Sequence, residues 1–445
     1  MRALVALRGR LAEPVDAASL AAFRVLLGTL LVAFLVRLWR KGVIEQAFVI
    51  PKLFFPLWGF GWLPPPGAYA YVLYAVLGVL ALALALGLWT RAAAGLFCLL
   101  FTYAHSVDAT NYLNHYYLVT LLTGLFAVVP TGGVGALCTR GGAHVPRWVL
   151  WLFRFQLGVV YFFGGIAKLK HDWLVLGQPL RTWLAANTDV FLLGPLFARA
   201  DVALLMSWLG AIYDLTIPFL LCVRRTRPYA FVAVVAFHAL TARLFMIGLF
   251  PYLMVAGSLL FLSPSWPRRL VAHLSGGAAR DVAFRAAATE PLGARTIALL
   301  GAYVLVQLLA PLRHHLYPGH VLWTEQGYRF AWHVMLMEKT GTAEYTLVDR
   351  ATGLRRVAFP RTLLTRAQTK AMATQPDMIL QLAHALARRE RAAGRDVAVY
   401  ADVFVVLNGR PPRRLVDPAV DLAREPESLA PKRWLLPGPD ESPSE

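Results

Sequence analysis

Residues 162–173 read FFGGIAKLKHDW. An apolar run closes on Gly164 and Gly165, and Lys168 follows with Lys170, His171 and Asp172 close behind. Two chemistries suit an amine in that place. The first is a snorkelling anchor, its aliphatic stem in lipid and its ammonium in water. The second is a general base able to take a proton from an acidic hydroxyl. A lysine is a base near neutrality only where burial lowers its proton affinity by about 3 pH units, at a cost of about 4 kcal/mol. Lys170 favours such a shift and Asp172 opposes it. Gly164 and Gly165 let another backbone or a flat ligand come close. Taken alone, Lys168 fits the anchor better.

Other residues raise the same choice. Asn114 and His115 open an apolar run. An amide and a neutral imidazole can hydrogen-bond a phenol or quinone oxygen; alternatively, Asn114 caps a helix and His115 is satisfied at the interface. His238 lies in AVVAFHALTARLF and reads either as a ligand contact or as a satisfied buried histidine. Arg243 beside it calls for an anionic partner, lipid or protein. The stretch WTEQGYRFAWHVMLME (323–338) is dense in aromatics. It offers a flat surface for an extended peptide or an isoprenoid-like ligand, or it packs a core. Metal and nucleotide chemistry have no sequence support. The three cysteines, Cys98, Cys138 and Cys222, are scattered, and CxxC, HExxH, the P-loop and GxGxxG are all absent.

The elements that position these residues are membrane helices. The 445 residues are 58% hydrophobic and only 16% charged, with mean hydropathy +0.54. Soluble domains carry about a quarter charged residues. The start, MRALVALRGRLAEPVDA, is interrupted by Arg8, Arg10, Glu13 and Asp16 and does not read as a cleaved leader. A net charge of +19 suits a multispan protein under the positive-inside rule, and no basic stretch has the aromatic interleaving of a nucleic-acid binder. Nine spans are expected: 18–39, 69–89, 92–106, 113–130, 148–166, 202–222, 229–245, 247–262 and 296–312. With the N-terminus in the cytoplasm, Arg91, then Arg140 and Arg147, then Arg224, Arg225 and Arg227, then Arg268, Arg269, Arg280 and Arg285 all fall inside. Arg37, Arg40, Lys41 and the lysines around 168 break the rule and need another reason. In this topology His105, Asn114, His115, Lys168, His238 and Arg243 share one membrane face. Residues 174–200 are too broken to span and read as an interfacial lid or floor there.

The expected fold is therefore a mostly α multispan bundle (1–312), then a small α+β extracytoplasmic domain (313–430) and a loose tail (431–445). In the α+β part, residues 343–360 read as a hairpin, 366–392 as a helix interrupted by Pro376, and VAVYADVFVVLNG as a strand.

The ordered series TNYLNHYYL (110–118), HVPRW (144–148), VYFFGGIAKLKHDW (160–173), FHALTARLFMIGLFPYLM (237–254), SPSWPRRL (263–270), VLWTEQGYRFAWHVML (321–336) and FVVLNGRPPRRLVDP (404–418) resembles the vitamin K-dependent γ-glutamyl carboxylases and the membrane proteins that share their transmembrane domain. The resemblance runs from about residue 18 to about residue 430. It implies a buried lysine that deprotonates reduced vitamin K. Dioxygen then adds to give a strong base. That base removes the γ-proton of a glutamate in a bound peptide, CO2 adds to the carbanion, and the quinone leaves as its 2,3-epoxide. By motif position Lys168 matches that lysine and Asn114 and His115 match the pair beside it. His238, Trp323, Tyr328 and Trp332 match positions near the quinone and glutamate, with Gly164, Gly165 and Thr241 alongside. Relatives usually carry Asn where this chain has Thr241, so one polar contact differs. The further outer tail of animal carboxylases is not matched here.

The resemblance thus implies reduced vitamin K, O2 and CO2 as cofactor and co-substrates, no metal, a glutamate-containing peptide or protein as partner, and a multi-pass location. The Ala-, Arg- and Leu-rich chain suggests a bacterial inner membrane. Two other readings stay open: a quinol epoxidase without peptide carboxylation, and a non-catalytic transporter or lipid-binding protein. The sequence fixes no oligomeric state.

Overall fold

Each long apolar run becomes a helix. In the computed structural model, which describes residues 2–138, 142–191, 193–276 and 292–439, helices stand at all nine expected spans. They are α1 (Ala18–Arg40), α2 (Ala70–Leu86), α3 (Thr90–Ser106), α4 (Asn114–Val128), α5 (Arg147–Ala167), α6 (Ala200–Cys222), α7 (Arg227–Leu244), α8 (Phe250–Ser258) and α9 (Ala294–Leu309). Among the described residues, five stretches are long and apolar enough to cross a membrane unaided: Ala18–Arg40, Gly67–Leu86, Arg147–Ala167, Ala200–Cys222 and Ala294–Leu316. α4 has 15 residues and α8 only 9, short of the ~20 a span needs. Both are core elements, with Leu118, Val119, Leu122 and Phe126 of α4 and Leu253 and Met254 of α8 buried.

The bundle core follows from α1. Leu20, Phe23, Leu27 and Leu31 recur at helical spacing and are almost wholly buried. Phe23 meets Phe126 of α4, and Phe126 meets Phe153 of α5 with ring centroids 4.7 Å apart. Val79, Leu99 and Val232 face outward, each 68% exposed, as a hydrocarbon-facing surface requires.

One end of the bundle is basic and stapled by hydrogen bonds. Strands β1 (Pro14–Asp16) and β2 (His144–Pro146) pair antiparallel, Val15 opposite Val145. Arg147 pairs with Glu13 at 2.5 Å and Arg268 with Asp16 at 2.8 Å. Arg91 donates to the Ala127 and Val128 carbonyls and Arg227 to the Leu221 carbonyl, where cations meet the negative ends of helix dipoles. Of the arginines expected at this end, Arg140, Arg280 and Arg285 lie outside the described residues.

The other end carries the α+β domain. Its sheet runs β4–β3–β5–β6, built from β3 (Lys339–Asp349), β4 (Arg355–Ala358), β5 (Val397–Leu407) and β6 (Arg413–Arg414). Tyr345 stands opposite both Ala358 and Ala401. The helix expected over 366–392 is two helices, α10 (Arg366–Met372) and α11 (Pro376–Ala392). Pro376 has no N–H to continue the first helix and instead opens the second. Met378, Ile379, Leu382 and Ala383 of α11 are buried in the domain core.

The expected loose tail needs correction. Residues 431–437 return to the domain: Trp434 is 3% exposed, its carbonyl accepts from the Asp417 amide at 2.9 Å, and Leu436 bonds Leu415. The proline-rich composition hides the apolar group Trp434–Leu436, which supplies the burial. Residues 440–445 of that tail lie outside the described residues.

The α+β domain is clamped to the bundle by polar contacts. Asp172, just past Lys168, accepts from Asn408 at 2.5 Å and from both terminal nitrogens of Arg410. Burial pushes the Asp172 carboxyl up, but the Arg410 and Asn408 donors outweigh it and hold it below the usual carboxylate range. Gln368 reaches Asp108 at 2.8 Å, and Trp183 donates to Glu338 at 2.7 Å.

Candidate active site

Helix α5 ends where α6 crosses it most closely. A Cβ on Gly165 would stand 2.9 Å from the Leu215 amide nitrogen, so only glycine permits this approach. The crossing brings Asp214 of α6 against Lys168 at the end of α5. Lys168, 6% exposed, donates to Asp214 Oδ2 at 2.6 Å and to the Gly164 carbonyl at 3.1 Å. Its ammonium also lies 5.3 Å from the centre of the Trp173 ring. A snorkelling lysine keeps its head in water; this one is buried in an ion pair.

The pair lies on the wall of a cavity of about 380 Å³. α5 contributes Tyr161, Gly164 and Lys168, and α6 contributes Tyr213 and Asp214. Phe237, His238 and Thr241 come from α7, and Leu180 and Trp183 come from the broken segment 174–200, which covers this end as a floor or lid would. Most of the wall is aromatic or aliphatic. His238 is 2% exposed; its Nε2 shares a hydrogen bond of 2.9 Å with the Tyr161 hydroxyl, while its Nδ1 is buried without a partner. Thr241 lines the cavity too, with its hydroxyl donated to the His238 carbonyl at 3.2 Å.

A second cavity of about 450 Å³ abuts the first, and Ile247, Phe250, Val334 and Met335 belong to both walls. Asn114 and His115, at the start of α4, line the second cavity rather than the first. Asn114 does not cap its helix, whose N-cap is Leu113. It accepts from the Tyr112 hydroxyl at 3.0 Å and donates to the His333 carbonyl at 2.8 Å, tying α4 to the chain that enters from the outer domain. His115 is 8% exposed and packs against Tyr116 and Phe250.

That entering chain, residues 325–336, was singled out by sequence, but its backbone course was not foreseen. Four of its non-glycine residues, Glu325, Phe330, Trp332 and Met335, have φ between 51° and 59°. Left-handed backbone of this kind concentrates where surrounding structure forces it, commonly at functional sites. Its base is held by Lys339, paired with Glu325 at 2.8 Å. Burial lowers the Lys339 amine, and the Glu325 carboxylate opposes that. The segment then descends into the bundle. Trp332 is fully buried among bundle residues and stacks on Tyr117 of α4 at 5.1 Å. Tyr328 lines the second cavity and donates to the His333 carbonyl at 3.2 Å. Trp323 lines neither cavity; it packs the outer-domain core, its indole N–H on the Leu436 carbonyl at 2.8 Å. Trp332 likewise acts through packing rather than as cavity wall.

The cavity-lining aromatics Tyr161, Trp183, Tyr213, Phe237 and Phe250 were missed, and so were two polar residues, Asp214 and His333. Asp214 had a signal, since an acid inside an apolar span is costly and usually partnered. His333 had only its place beside Trp332. Burial holds its imidazole neutral, down at about 3, and its Nε2 has no partner.

No solved structure matches the chain. Residues 12–266, more than half of it, match the HTTM domain, and residues 293–441 match the vitamin K-dependent gamma-carboxylase lumenal domain. The first match contains helices α1–α8 with the Lys168–Asp214 pair, and the second contains α9 and the segment whose Val334 and Met335 line both cavities. With these two domains following one another along its length, the chain belongs to the vitamin K-dependent gamma-carboxylase family.

Proposed function

We propose that this chain is a peptidyl-glutamate carboxylase driven by oxidation of vitamin K hydroquinone. The observation that carries the reading is the buried Lys168–Asp214 pair on the wall of an otherwise apolar cavity. The fit to a quinol rests on that cavity. Its volume lies in the range of small-molecule sites, its wall is rich in aromatics, and His238 Nδ1 is a buried polar atom lacking a partner. Tyr161, Tyr213, Phe237, Trp183 and Phe250 would hold the flat ring system, and His238 would bond one of its oxygens. When bound, the quinol supplies, with dioxygen, the strong base that no side chain provides for a glutamate γ-proton, and it leaves as the 2,3-epoxide.

The protein's part is proton handling and exclusion of water. A lysine paired as an ammonium has no lone pair to offer. Asp214 Oδ2, 2.6 Å away, does. Lys168 Nζ therefore accepts the hydroxyl proton of the ligand as it passes one of its own to Asp214 Oδ2. The carboxylate charge disappears from Asp214 and reappears on the ligand oxygen, beside the same ammonium. Charge is conserved within the cavity, which a low-dielectric site requires. Gly164's carbonyl and the Trp173 face keep the ammonium in place throughout. Val334 and Met335 close the side facing the second cavity, where an acidic substrate would approach His115 and Asn114. The basic end of the bundle faces the cytoplasm in this reading, so carboxylation occurs on the outer side.

The test is a two-product assay in detergent. Purified protein receives vitamin K hydroquinone, oxygen, labelled bicarbonate and a Glu-containing peptide. Epoxide together with label in the peptide is expected. Epoxide without label would leave a quinol epoxidase, and neither product from folded protein would refute both.

A further inference from the structure

The charge rule leaves Arg37, Arg40 and Lys41, at the outer end of α1, unexplained. At the basic end of the bundle, cations find partners within the chain: Arg147 and Arg268 on carboxylates, Arg91 and Arg227 on helix-end carbonyls. Arg37, Arg40 and Lys41 are exposed instead. Among the described residues none of the three makes an ion pair, and Glu45 nearby in sequence takes none of them.

Their surroundings say what faces them. Val25, Thr29, Ala33 and Val36 recur at helical spacing along α1 and are all exposed, away from the buried Leu20, Phe23, Leu27 and Leu31. Such a stripe faces hydrocarbon, and one turn beyond Val36 it runs into Arg40, with Arg37 beside it. Trp39, 47% exposed, lies 5.5 Å from the Tyr71 ring, and Tyr69 just before α2 is 80% exposed. Aromatics of this kind mark the headgroup level. Unpaired cations at that level, above a lipid-facing stripe, match a lipid whose headgroup is anionic.

We propose that the outer end of α1 holds an anionic phospholipid, with its acyl chains along Val36, Ala33 and Thr29 and its phosphate against Arg37, Arg40 and Lys41. The inference is independent of the carboxylase reading. Arg37 and Lys41 also belong to the wall of the second cavity together with Met246, which is 92% exposed, so the headgroup sits at the rim of that cavity.

The experiment titrates the full chain, in uncharged detergent, with phosphatidylglycerol or phosphatidylcholine and measures retained lipid by native mass spectrometry. Wild type should hold phosphatidylglycerol about tenfold more tightly, the scale of one or two cations near an anionic headgroup. Arg37→Gln with Arg40→Gln and Lys41→Gln should lose one tightly held phosphatidylglycerol, and Arg40→Gln alone should weaken it part-way. Arg37→Lys with Arg40→Lys should keep it, since the charge is retained. Arg388→Gln with Arg389→Gln and Arg391→Gln, a charge-matched change at exposed positions of α11, should also keep it. Thermal unfolding of each variant checks its fold. A triple variant at Arg37, Arg40 and Lys41 that retains phosphatidylglycerol as wild type does overturns the proposal. So does an equal loss of both lipids, or an equal loss in the charge-matched control. Displacement of phosphatidylglycerol by inorganic phosphate also overturns it, because the cations would then serve a soluble anion.

Discussion

Replacing Asp214 by asparagine tests the core of the site. The side chains of Lys168 and Asp214 are 8% and 10% exposed, so water compensates neither. Removing one partner of such a buried pair costs about 3–5 kcal/mol, because the other charge is stranded. Here the ammonium keeps the Gly164 carbonyl at 3.1 Å and the Trp173 ring, which places the loss near the lower bound, about 3 kcal/mol. Asp214→Asn should also lower quinol epoxidation by about 10²–10⁴-fold, the usual worth of a positioned proton acceptor. Stability and chemistry then separate in the double variant Lys168→Met with Asp214→Leu. It replaces the pair with apolar groups and should regain most of the lost stability while staying inactive. Equilibrium unfolding in detergent and epoxide formation are measured on the wild type, Asp214→Asn, the single variants Lys168→Met and Asp214→Leu, and the double variant. If the two single losses simply add in the double variant, the side chains are not coupled and the proton-transfer argument fails.

Three further predictions concern positioning. Gly165→Ala places a Cβ 2.9 Å from the Leu215 nitrogen, whereas Gly164→Ala meets Asp214 Oδ2 at 3.7 Å and Trp332 O at 3.9 Å, ordinary contacts. Gly165→Ala should therefore destabilise by about 1–3 kcal/mol in unfolding measurements, and Gly164→Ala by clearly less. Asn114→Ala removes the bond to the His333 carbonyl and should cost about 1–3 kcal/mol, with faster proteolysis within residues 325–336 as the readout. Asp172, whose folded pKa is depressed despite burial, contributes stability that is present above the ordinary carboxylate value of about 3.9 and lost as pH falls through the lower folded value. Asp172→Asn should be less stable than wild type at pH 7, and the difference should shrink as pH drops below about 4; a gap constant with pH would contradict this.

How much of this could be read from the sequence depends on the range of the interaction. Spans were legible because about 20 apolar residues report the bilayer directly, and the break at Pro376 because proline's missing N–H is a local fact. Lys168 was visible as an oddity, but its partner was not, since Asp214 lies 46 residues away and meets it only through the crossing at Gly165. The aromatic stretch 323–338 was visible as a surface, yet its division was not. Trp323 packs the outer core, Trp332 the bundle, and Tyr328 and His333 line a cavity, a sorting imposed by left-handed residues that sequence preference argues against. The tail was misjudged because composition outweighed the apolar group Trp434–Leu436, which finds its burial only in the folded domain.

The most direct measurement is epoxide formation by Lys168→Ala beside the wild type, with vitamin K hydroquinone and oxygen saturating and both proteins shown to be folded. The account predicts that wild type forms epoxide and that Lys168→Ala loses it by at least about 10²-fold, together with label uptake into peptide. Epoxide from Lys168→Ala at the wild-type rate would contradict it: the buried amine would then be an ion-pair strut, and the base would have to be sought elsewhere.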